Sequence, residues 1–134
     1  MKTRGRRTGL VIGVLLLATS WLSAHHSPSA IFQVDKLVVL NGVLSKVDWI
    51  NPHIHVYLDV KDASGTVSTW DFEGYPPTWF RRAGLKKENI TKALGRDVSI
   101  EASPARNGSN FGFFRKITFS DGTFIRFGEK EAEP

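Results

Sequence analysis

The sequence predicts an all-β protein with a short helical connection: a small OB-like closed β-barrel of five to six strands. Three observations lead there. Three strand-like segments precede a helical connection, and two or three more strands follow it. The long first strand carries an internal glycine, Gly42, where such a strand must bulge or bend to serve both sides of a small barrel. A β-protein of this size must also protect its sheet edges, and closure removes them. An open six-stranded sandwich is the alternative arrangement of the same segments.

The elements follow in order. Residues 25–36 are polar and contain Pro28, which reads as an extended N-terminal arm. Leu37 to Trp49 is the first strand, and Asn51-Pro52 is a turn signal. From His53 to Val60 the chain alternates strictly. Ile54, Val56, Leu58 and Val60 share one face, and His53, His55, Tyr57 and Asp59 share the other. Asp62 to Gly65 is a hairpin turn. Val67 to Glu73 alternates again, with Trp70 and Phe72 toward the core and Thr69, Asp71 and Glu73 outward. Pro76-Pro77 opens a short helix over Thr78 to Ala83 that Gly84 stops, and a second short helical or irregular stretch runs from Lys86 to Leu94, ended by Gly95. Asp97 to Ser103 is a strand with Val98 and Ile100 inward, and residues 105–112 are a loop. Phe113 to Ser120 and Thr123 to Phe127 form a hairpin across a two-residue Asp121-Gly122 turn. The barrel domain therefore spans 37–128, and 129–134 is a charged tail.

The 134 residues carry Lys+Arg 18 against Asp+Glu 13, a formal net charge of +5. The first 24 residues account for most of it. Lys2, Arg4, Arg6 and Arg7 precede a 13-residue apolar run, Leu10 to Leu22, and Ser23-Ala24 supplies small residues for cleavage. That is the layout of a secretory signal peptide, too short in its apolar part for a spanning helix. The Arg6-Arg7 pair suits twin-arginine export, but Thr-Gly-Leu after it lacks the aromatic of that signal. Cleavage after Ala24 predicts a periplasmic protein with no stable membrane span. Removing 24 residues and their four cations leaves 110 residues with 14 Lys+Arg against 13 Asp+Glu. That near-neutral body argues against a nucleic-acid partner, which needs a concentrated basic surface. The absence of cysteine excludes disulfides, thiolate metal sites and a cysteine nucleophile.

All four histidines fall in two pairs, His25/His26 and His53/His55. Cleavage would make His25 the new N-terminus, whose α-amine and ring nitrogen can chelate one ion together. Amine and imidazole nitrogens favour Cu(II) over Ni(II) and Zn(II). His53 and His55, two apart on a strand, project from one face. Asp71 and Glu73 on the next strand are candidate oxygen ligands, or partners that orient the imidazoles. The plainer readings are solvated terminal histidines, a His53 ring that caps its turn, and a solvated acidic strand face. Tyr57, Tyr75, Trp79, Phe111, Phe113 and Phe114 are candidate groove aromatics, while Trp49 and Trp70 belong to the core. Arg81-Arg82 and Lys86-Lys87 form a basic cluster suited to an acidic partner or lipid headgroups, or to a solvated helix face. No Ser-centred elbow, P-loop, H-E-x-x-H or dinucleotide fingerprint is present.

The run Ala24-His25-His26-Ser27, then Leu40-Asn41-Gly42, Val47-Asp48-Trp49-Ile50-Asn51-Pro52-His53 and Tyr57 to Val60, resembles the bacterial domain-of-unknown-function family numbered 6152. Gly95 to Val98, Pro104 to Ser109 and Ser120-Asp121-Gly122 continue the likeness. The resemblance covers almost all of the chain after Ala24. It implies a small exported β-barrel protein of Gram-negative bacteria and no particular activity. It carries over onto His25, His26, Ser27, Asn51, Pro52 and His53, whereas His55 departs from the family pattern. The expected function is a non-enzymatic periplasmic binding protein holding copper through His25, His26 and His53, with His55 optional. The alternative is an interaction module that binds a peptide, glycan or envelope protein without metal. A third reading is a mono-copper redox enzyme with an N-terminal histidine brace.

Overall fold

A computed structural model describes residues 27–127; the expected leader, His25, His26 and the 129–134 tail lie outside them. The elements are α1 (Pro28–Ile31), β1 (Val38–Asp48), β2 (His55–Lys61), β3 (Val67–Glu73), α2 (Pro77–Arg82), α3 (Glu88–Thr91), β4 (Asp97–Pro104), β5 (Phe111–Phe119) and β6 (Phe124–Arg126). The sheet order is β3-β2-β1-β4-β5-β6, and a parallel β3–β5 pairing joins its two sides. The first five strands thus close into a barrel and β6 flanks β5, as the OB-like reading expects.

Strand β1 serves two neighbours. Val38 to Val43 pairs with β4, and Val43 to Asp48 pairs with β2. The bulge that lets it turn falls between Leu44 and Lys46, so Ser45 is the extra residue. Gly42 is not the bulge. It lies where β1 and β2 backbones touch: a Cβ there would collide with the Asp59 carbonyl and press on Leu58. Alternation elsewhere sets the core. Ile54, Val56 and Leu58 of the second strand segment, Phe72 of β3, Ile100 of β4, and Phe114 and Ile117 of β5 are all buried. Each such side chain contributes about 1.5–3 kcal/mol relative to exposure. The α2–α3 connection adds Phe80, Ile90 and Ala93 to that core. Gly84, at φ 75°, ends α2 in the left-handed conformation.

Three expectations need correction. The 25–36 segment is not simply extended: α1 forms one helical turn, because Pro28 starts it without needing its missing N–H. The chain beyond it is anchored. Phe32 is buried, pairs with Ala105, and packs its ring 5.0 Å from Phe111 and 5.5 Å from Phe113. The Gln33 N–H donates to Pro104 and the Arg106 N–H to Ile31. The last hairpin has three loop residues rather than two: Phe119 and Thr123 close it, with Gly122 at φ 83° in the left-handed position. Trp49 and Trp70 sit at the rim of the core, half-buried, against Phe80 and Phe72 respectively.

No helix among the described residues is long and apolar enough to cross a membrane.

Candidate functional site

The outer face of β1, β2 and β3 is built as rows across the strands. Asp48, His55 and Glu73 are opposed in one row, and Lys46, Tyr57 and Asp71 in the next. Inward alternation of Ile54, Val56 and Leu58 leaves these polar side chains no other direction.

Both imidazoles are held by their Nδ1 atoms. His55 Nδ1 lies 2.8 Å from Asp71 Oδ1. His53 Nδ1 lies 2.8 Å from the Gly74 carbonyl oxygen, with Glu73 Oε1 3.5 Å away. A carboxylate and a carbonyl accept, so each Nδ1 carries the proton and donates. In the neutral ring, that leaves the Nε2 lone pair of each histidine uncommitted. Both rings lean diagonally the same way along the strand pair, His55 toward the Tyr57–Asp71 row and His53 toward Gly74, which lies opposite Ile54. Both remain partly open, with side chains 26% and 37% exposed.

Electrostatics tie the rows together. Lys46 Nζ sits 2.7 Å from Asp48 Oδ2 and 4.9 Å from the centre of the Tyr57 ring. The hydrogen bond from Lys46 holds the Asp48 carboxyl below the usual carboxylate range, and Lys46 is raised in return. Burial pushes the Tyr57 phenol up, and the negative charges of Asp71 and Asp48 push it further. A phenol in that setting stays protonated and remains a donor at neutral pH.

Asp71 and Glu73 therefore stand against the imidazoles as orienting partners. Among the described residues, no group of three or more His, Asp and Glu side chains converges as a metal cage. His53 and His55 offer two imidazoles, and the other expected donors, His25 and His26, lie outside the described residues. The arm is anchored beside β3, and its residues before Phe32 run along Arg106. Phe32 packs on Phe111, Phe111 pairs with Asp71, and the Asp71 N–H donates to Asn110.

The aromatics do not form one groove. Tyr75 and Trp79 stack at 4.8 Å, and Tyr75 meets Phe113 edge-on. They seal one side of the barrel, while Tyr57 stands apart on the outer rows. Phe113 and Phe114 are buried and Phe111 is covered by Phe32, so packing claims them. The Phe32 anchor had a sequence signal, a lone phenylalanine within a polar arm, but its partner Ala105 lies 73 positions away.

The family model for DUF6152, a family of unknown function, matches residues 14–115. No curated protein and no solved structure matches the chain.

Proposed function

The chain belongs to the DUF6152 family, and from that premise we propose that it is an exported binding protein for a divalent transition metal, copper above the others. The donors are His25 with its freed α-amine, His26 and His53, with His55 as a further ligand. The observation that carries this reading is the matched state of the two strand histidines. Each donates its Nδ1–H to a fixed acceptor, which in the neutral ring leaves the Nε2 lone pair uncommitted. Metal-ligating histidines are held in this way by carboxylates and backbone carbonyls. The docking of Phe32 supports it, since it ties the N-terminal segment to the strand pair next to Asp71. The role is binding rather than catalysis, and the location is the periplasm.

Titrating the processed protein, its N-terminus confirmed as His25, with Cu(II) tests the proposal. Binding tighter than micromolar is expected, weakened at least about tenfold by His53→Ala. A weak affinity that ignores His53→Ala removes the reading. A version carrying one extra residue before His25 isolates the α-amine.

A further inference from the structure

We propose that the α2–α3 end of the barrel docks on an anionic lipid bilayer. The connection between β3 and β4 has two sides. Phe80, Ile90 and Ala93 go into the core. Arg81, Arg82, Lys86, Lys87, Lys92 and Arg96 go to solvent, all exposed. Residues 81–96 thus hold six cations, with Glu88 the one acid among them. Among the described residues, none of the six comes within 4.0 Å of a carboxylate.

Charge is segregated rather than scattered. Asp48, Asp59, Asp62, Asp71 and Glu73 all belong to the β1–β3 part of the chain. Six of the 14 cations after Ala24 lie on this one connection, whereas β1–β3 carries five acids against Lys46 and Lys61, so the field is directional. Two further acids border the patch: Asp97 follows Arg96, and Asp121 shares a cavity lining with Lys92. Lys92 is also engaged over the Phe119 ring, at 4.4 Å. These weaken one corner, and Glu88 is the acid that lies within residues 81–96 beside Arg81, Arg82, Lys86 and Lys87.

The composition of the patch selects lipid. A single-stranded nucleic acid needs aromatic platforms between the cations. Here Phe80 is buried, and Trp79 is stacked on Tyr75. Leu94, 44% exposed, is the apolar residue of the patch and suits the headgroup–acyl boundary. Flexible lysines and arginines meet a fluid array of phosphates without any fixed register. The acidic β1–β3 part is repelled by the same surface, so docking has one orientation.

The test is co-sedimentation with phosphatidylcholine vesicles, with or without about 30% phosphatidylglycerol, in about 0.15 M salt. All proteins compared share one sequenced N-terminus. The wild type is expected to pellet only with the anionic vesicles and to be released as salt rises. Lys86→Glu/Lys87→Glu is expected to weaken binding at least about twentyfold. Lys36→Glu/Lys61→Glu, with the same change in net charge, should weaken it less than about threefold. Circular dichroism checks folding, and Lys86→Gln/Lys87→Gln replaces the reversal if that variant is unfolded. No pelleting with anionic vesicles, or equal loss in the two charge-matched variants, overturns the proposal.

Discussion

His55 donates its Nδ1 proton to Asp71 across the β2–β3 pair, over 2.8 Å. The bond is diagonal, from the row of Glu73 into the row of Tyr57, and it fixes both the tautomer and the ring orientation. Asp71→Asn removes the charge that holds this arrangement. The ring should then populate both tautomers, which nitrogen chemical shifts of His55 report directly. If His55 is a metal ligand, Cu(II) affinity falls by about ten- to a hundredfold. An Asp71→Asn protein with unchanged His55 shifts would show that the carboxylate does not set the tautomer.

Phe32→Ala cuts the arm from its anchor. The ring is buried against Phe111 and Phe113, so its loss should cost about 3–5 kcal/mol. Urea unfolding measures that cost. Limited proteolysis should cleave before Val38 in the variant and spare the same segment in the wild type. Because the arm carries His25 and His26, Cu(II) binding should weaken while the barrel stays folded.

Gly42→Ala should destabilise the barrel by about 1–3 kcal/mol, read as a lower urea midpoint with an unchanged slope. The added Cβ meets the Asp59 carbonyl and the Leu58 side chain, so β1 and β2 must separate. A change within error of zero would mean that the two strands part without cost.

The Tyr57 phenol should titrate above its ordinary value of 10, because burial and then the charges of Asp71 and Asp48 oppose its ionisation. The folded pKa lies above the unfolded one. The associated stability is therefore fully present below pH 10 and is lost as pH rises through the folded value. Absorbance at the tyrosinate band in a Tyr75→Phe background isolates this residue, since the chain has two tyrosines. Adding Asp71→Asn should lower the midpoint. A midpoint at or below 10 contradicts the arrangement.

Local chemistry made much of this protein readable. The alternation Ile54, Val56, Leu58 named the inner face of the second strand, and by exclusion put His55 and Tyr57 outside. Asp62 anchors its hairpin as its sequence context suggests, accepting from the Ser64 and Thr66 N–H groups. The candidate site was legible as a set of residues: His53, His55, Asp71 and Glu73 do share one region. The tethers of its rings were not. That His53 turns to Gly74 while His55 turns to Asp71 depends on the β2–β3 register, which no local pattern specifies. Which of the candidate groove aromatics meet was not legible for a similar reason. Tyr57, Tyr75 and Trp79 are all aromatic, but whether they meet depends on strands paired across long stretches of chain.

By itself the sequence determined the succession of elements along the chain, the inward face of the second strand, the helical plug and the clustering of cations on that plug. Each follows from periodicity or composition within a few residues, where sterics and burial act directly. Only the tertiary structure decided that Gly42 marks a backbone contact with β2 while Ser45 makes the bulge. It also decided that the arm is pinned through Phe32, and that the two strand histidines are held by separate acceptors. Those outcomes rest on contacts between residues far apart in the chain, and barrel closure through β3 and β5 is what brings them together.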